Sequence, residues 1–237
     1  MNVIPQPAKD GFVRLVGPVA RAIIKSGIRP NAVTTAGTLV VLAAAWAYYS
    51  GRIRWGGALL LASGLFDILD GQVARLGGLS STFGAFYDST LDRVGEAAIF
   101  AGIGLWFLGG GVPPARVPVG VGLSMLAMAS SLLVSYTRAR AEGLGMEAKV
   151  GIAQRAERFL VLGVPTLFFG AGRNGVLLFW LIVILAVVTS LTVIQRVIHV
   201  ARNTSREGAA RPFVGGGNAG LRRRDTQPGH ASLRKGS

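Results

Sequence analysis

Apolar residues run through this chain in long blocks separated by short polar or Gly/Pro segments. Six blocks, at 31–49, 56–76, 82–108, 117–140, 154–171 and 175–199, lie near the roughly 20 residues that carry a helix across a bilayer. Ahead of them, "KDGFVRLVGPVARAIIKSG" places Phe12, Leu15, Val16, Val19, Ile23 and Ile24 at helical spacing, with Lys9, Arg14, Arg21 and Lys25 between them. That pattern predicts an amphipathic helix lying at a membrane interface, with Pro18 a candidate kink. From residue 202 the chain turns polar, basic and Gly-rich, a composition that reads as disordered. The expected architecture is an all-α integral membrane protein. Residues 1–30 form a juxtamembrane segment, 31–201 a domain of six transmembrane helices, and 202–237 a basic tail.

Composition supports this reading. Of 237 residues, 51% are hydrophobic and 15% charged, against roughly 25% charged in soluble chains. The net charge of +14 could suggest nucleic acid, but the basic residues follow topology and lack interleaved aromatics, so no nucleic-acid partner is expected. Lys9, Arg14, Arg21, Lys25, Arg29, Arg75, Arg138, Arg140, Lys149, Arg155, Arg158 and the bases from Arg196 onward fall on one side of a six-span arrangement. Arg52, Arg54, Arg116 and Arg173 fall on the other. The bias predicts both termini in the cytoplasm. Arg222, Arg223 and Arg224 in the tail are read as weakly attracted to anionic lipid. With no cysteine there is no disulfide framework, thiolate metal site or thiol nucleophile.

Four of the eleven acids interrupt this apolar pattern. Asp67 and Asp70 are three apart; Asp88 and Asp92 are four apart. On helices each pair shares a face, and the short "GGLSS" link lets the two helices run antiparallel with the pairs opposed. Four carboxylates in one cleft call for cations among them. Hard divalent ions, two Mg²⁺ or Mn²⁺, suit such oxygen ligands and clamp phosphoryl groups during displacement. Gly71, Ala74 and Gly84 would leave the helices bare enough for a nucleotide, and Arg75 would offer a fork to phosphate. A cation or proton transporter could also carry intramembrane acids. That alternative predicts acids at the midplane and inverted repeats, which the sequence does not display.

The stretches "DILDGQVAR" and "GAFYDSTLD", with eight residues between Arg75 and Gly84, resemble the signature of the CDP-alcohol phosphatidyltransferases. The pattern is D-x-x-D-G-x-x-A-R, then G-x-x-x-D-x-x-x-D, and every fixed position agrees. The resemblance covers roughly residues 10–200 and excludes the tail. It implies that Asp67, Asp70 and Asp88 hold two divalent metals, and that Asp92 lies beside a metal and acts as general base. It implies a CDP-linked donor, usually CDP-diacylglycerol, contacted by Gly71, Ala74, Arg75 and Ser81 and by the segment Arg29, Pro30, Asn31 and Ala32. The acceptor alkoxide would attack the lipid-bearing phosphorus and release CMP. A homodimer in a bacterial cell membrane is also implied, with the active site on the cytoplasmic side.

The acceptor is read from further resemblances. "YDSTLDR", "SYTRARAEG", "QRAER" and "IQR" are similar to stretches of the inositol-phosphate-using members, the phosphatidylinositol phosphate synthases. Arg stands at 138 where they tend to have Lys, and Gln154 and Ala156 replace Glu and Pro. Arg138, Arg155, Arg158 and Arg196 would then bind the acceptor's phosphate. Glycerol 3-phosphate, the acceptor of phosphatidylglycerophosphate synthases, remains the alternative. Glu96, four after Asp92, shares its face and could support the site or pair with Arg93 or another helix's base. Glu157, between two arginines, reads as a local ion-pair partner.

Overall fold

The computed structural model describes residues 6–146, 151 and 154–207, with side chains described from Val16 to Thr204 within those limits. The rest of the predicted tail, including Arg222–Arg224, lies outside the described residues. Every regular element described is helical: α1 Gln6–Lys25, α2 Pro30–Tyr49, α3 Ile53–Leu76, α4 Thr82–Trp106, α5 Val117–Gly143, α6 Arg155–Phe169 and α7 Val176–Glu207. A wide helical turn over Phe107–Gly111 and short tight turns before α5 and α7 complete the set. The chain divides into two units, residues 1–201 and 202–237. Of the second, only 202–207 are described, as helix.

Among the described residues, five segments are long and apolar enough to cross a membrane: Pro30–Tyr49, Ile53–Leu76, Thr82–Gly111, Pro114–Gly143 and Arg173–Thr204. The expected fifth span differs. Its helix, α6, has 15 residues, about 22 Å at 1.5 Å per residue, short of the roughly 30 Å hydrocarbon layer. α6 itself carries Arg155 and Arg158 in its first turn, so its apolar run begins late. Large apolar side chains remain exposed, among them Trp46, Trp55, Phe86, Leu108, Phe169 and Trp180. Exposed apolar side chains in this number suit lipid rather than water.

The core gathers Tyr48 from α2, Leu60 from α3, Ile99 and Ile103 from α4, and Leu178 and Ile182 from α7, with Phe107 beside them. α2 packs on α3 and α4, α3 on α6, α4 on α5, and α1 on α3. Two details fix the C-terminal half of α6 against α2 and α3. The Tyr48 hydroxyl and Thr166 Oγ1 share a buried hydrogen bond of 2.8 Å. Gly57 on α3 leaves space that a Cβ would take, since it would lie 2.6 Å from the Leu167 amide nitrogen and 2.8 Å from the Gly163 carbonyl oxygen. A missing side chain therefore sets the α3–α6 separation.

Candidate active site

Residues 77–81 turn the chain from α3 into α4, with Gly78 at φ 62° in the left-handed region. The Ser81 hydroxyl then caps α4, accepting from the Gly84 N–H at 3.0 Å. This hairpin faces the α3 acids toward those of α4. Asp88 lies within electrostatic reach of Asp67, Asp70 and Asp92. Asp70 is buried and its Oδ2 accepts from Thr34 Oγ1 of α2 at 2.7 Å.

A cation already sits among the acids. Arg155, the first residue of α6, donates to Asp67 Oδ2 at 2.7 Å and pairs with Asp92. Its guanidinium also lies 4.8 Å from the Phe159 ring centre, a cation–π contact. Among the described residues no three acidic or histidine side chains converge on one point as a metal cluster; Asp67 and Asp92 instead share a guanidinium. The donor set still fits a hard divalent ion. It is all oxygen, one of its carboxylates, Asp70, is oriented by Thr34, and two of its acids, Asp67 and Asp92, draw a positive group between them.

Beside the acids lies a cleft of about 170 Å³ lined by Pro30, Asn31, Thr34, Asp70, Gly71, Ala74, Ser81, Gly84 and Asp88, among others. Five residues expected at the donor site, Pro30, Asn31, Gly71, Ala74 and Ser81, thus share one cavity with two of the acids. Arg29, Ala32 and Arg75 are exposed and do not line it. Thr34 was not anticipated. The available signal was a hydroxyl one turn beyond Asn31. Thr35 and Tyr87 add a hydroxyl link between α2 and α4, at 3.0 Å.

The remaining arginines lie elsewhere around the same end of the bundle. Arg138 is exposed and donates to Glu142 at 2.9 Å. Arg196 is buried, donates to the Val134 carbonyl, and is within electrostatic reach of Arg138 and Arg158. Arg158 is buried against Glu96, its Nε donating to Oε1 at 2.9 Å. Glu96 thus pairs with another helix's base, one of the roles open to it. Glu157 instead caps α6, accepting the Gln154 N–H at 2.9 Å.

Residues 28–192 match the sequence model of the CDP-alcohol phosphatidyltransferase family. The chain belongs to that family. This phosphatidyltransferase is 39% identical over 210 residues to the phosphatidylinositol phosphate synthase of Streptomyces avermitilis, covering 86% of this chain and 84% of that one. It is 41% identical over 192 residues to the archaetidylinositol phosphate synthase of Methanothermobacter thermautotrophicus, covering 79% and 89%. The crystal structure of Mycobacterium tuberculosis phosphatidylinositol phosphate synthase with CDP-DAG bound superposes with a TM-score of 0.70 at 31% identity, covering 79% of this chain and 94% of that one. The same mycobacterial enzyme in complex with manganese and citrate gives 0.69 at 30% identity, covering 78% and 88%. The enzyme class is therefore a metal-dependent phosphatidyltransferase of phospholipid biosynthesis, in a chain whose apolar helices suit an integral membrane protein.

Proposed function

We propose that this enzyme transfers a phosphatidyl group from CDP-diacylglycerol to inositol phosphate and releases CMP. The observation that carries the reading is the reach of Arg155 from α6 to Asp67 and Asp92. It supports the reading because Arg155, the cation expected at the acceptor's phosphate, pairs with Asp92, the acid expected to activate the acceptor's hydroxyl. The names of the relatives support the same acceptor.

In this reading the cleft holds the cytidine nucleotide between the bare surfaces of α3 and α4. Pro30, Asn31, Gly71, Ala74 and Ser81 line it, and Arg29, Ala32 and Arg75 reach the donor from its rim. Asp67, Asp70 and Asp88 would hold two divalent ions, with Asp92 beside one of them. When bound, such ions offset negative charge on the phosphoryl oxygens. Thr34 keeps the Asp70 carboxylate aimed. Arg138, Arg155 and Arg196 attract the acceptor's phosphate. Asp92 takes the proton from the acceptor hydroxyl, whose oxygen bonds to the lipid-bearing phosphorus as the bond to CMP breaks.

The same reading places α1 at the interface and lets α6 cross as the short fifth of six spans, with both termini and the acids on the cytoplasmic side of a bacterial membrane. A basic tail follows residue 201, and the working unit is a homodimer. The test is a CMP-release assay on purified protein with Mg²⁺ and CDP-diacylglycerol. Inositol phosphate, glycerol 3-phosphate, inositol and serine are offered separately. Release with inositol phosphate is expected; release with glycerol 3-phosphate alone would overturn the acceptor and keep the donor chemistry.

A further inference from the structure

α6 meets α4 through two arginine rungs. Arg155 reaches Asp92, and Arg158, three residues on, reaches Glu96, four residues beyond Asp92. Both spacings are one helical turn, so the rungs stack along the same pair of facing surfaces. They differ in environment. The Arg155 side chain is 23% exposed, whereas those of Arg158 and Glu96 are each 4% exposed. Nε and Nη2 of Arg158 both bond the same Glu96 oxygen. Around this pair lie Ile99, Phe100, Phe159, Leu162 and Leu185, all apolar.

An apolar pair of similar volume would pack there at no loss of stability, since desolvating two charges offsets most of their attraction. What a two-pronged ionic bond adds is a single geometry. Geometry matters at this place because a helix rotates about 100° per residue. A modest rotation of α6 would swing Arg155 away from Asp67 and Asp92. Sequence reading grouped Arg158 with the phosphate-binding arginines; its burial against Glu96 suits another task.

We propose that Glu96 and Arg158 are positioning residues, whose buried pair fixes the rotation of α6 so that Arg155 is presented to Asp67, Asp92 and the acceptor's phosphate. This rests on the reading that Arg155 meets that phosphate. The acceptor phosphate itself would not touch Arg158.

The test compares Arg155→Gln and the double variant Glu96→Leu/Arg158→Met in full-length protein. The double variant replaces both charges by apolar groups and should keep a near-native Tm. Its KM for inositol phosphate should nonetheless rise about tenfold, as for a displaced charged hydrogen bond, with the KM for CDP-diacylglycerol within about twofold. A readout independent of turnover is a spin-label distance between Val94→Cys on α4 and Leu160→Cys on α6. Both sites are exposed, and the chain has no native cysteine. Its distribution should broaden in the double variant. A double variant with native acceptor KM and an unbroadened distance overturns the positioning role. An equal rise in both KM values does so too, because it marks general loosening. If Arg155→Gln leaves the acceptor KM unchanged, the acceptor reading itself fails and the proposal fails with it, even if the distance broadens.

Discussion

Thr34 donates its hydroxyl proton to Asp70 Oδ2 at 2.7 Å, joining α2 to α3 across 36 positions of sequence. The bond is buried, so the carboxylate has a preferred orientation before any ligand arrives. Outer hydrogen bonds of this kind set how well a carboxylate presents itself to a metal. Thr34→Val keeps the shape and removes the donor. The Mg²⁺ concentration giving half-maximal CMP release should rise about tenfold, while Thr34→Ser stays near native. An unchanged Mg²⁺ dependence in Thr34→Val would remove Thr34 from the site.

Asp92→Asn keeps the size of the side chain and removes its basicity. Turnover should fall about 10²–10⁴-fold, the usual contribution of a general base. Binding of CDP-diacylglycerol, followed by calorimetry or nucleotide protection, should change little, because the donor cleft is lined by Asp70 and Asp88 rather than Asp92. A near-native rate would assign the base to another group.

Arg196 is buried, its guanidinium bonds the Val134 carbonyl, and it lies near Arg138. Arg196→Ala should raise the KM for inositol phosphate by about 10- to 100-fold, the value of a charged hydrogen bond. The KM for the donor should stay close to native. Equal increases for both substrates would mean that Arg196 braces α5 against α7 and does not bind phosphate.

Gly57 and Gly64 lie on the same helix and make opposite predictions. A Cβ at 57 would press on the backbone of α6, whereas at 64 nothing lies within 4 Å. Gly57→Ala should cost about 1–3 kcal/mol through overpacking and lower Tm by several degrees, with activity falling because α6 carries Arg155. Gly64→Ala should leave Tm unchanged or slightly raised. A native Tm for Gly57→Ala would show that α3 and α6 separate without penalty.

Chelation offers a test of the whole acid cluster. Excess EDTA should abolish CMP release, and Mg²⁺ or Mn²⁺ should restore it in proportion to the ion added, because four carboxylates this close need cations between them. Activity surviving exhaustive chelation would overturn the metal assignment.

The amino-acid sequence by itself determined the helical class, most of the long apolar segments and the spacing of the four aspartates. Those features depend on neighbours within one or two turns, where hydrophobic blocks and i, i+3 or i, i+4 offsets decide the outcome. The length of α6 was harder to read, because Arg155 and Arg158 delay the start of its apolar run and no local signal says how deep they sit. Tertiary structure alone decided which arginine meets which acid. Arg155 and Asp67 are 88 positions apart, Arg158 and Glu96 are 62, and no periodicity links residues at such distances. It also separated two arginines one turn apart on the same helix, setting Arg155 at the edge of the acids and burying Arg158 among apolar side chains. The physical reason is packing. Gly57 and the Tyr48–Thr166 bond hold the C-terminal half of α6 against α2 and α3, while at its first turn Arg155 finds Asp67 and Asp92 and Arg158 finds Glu96.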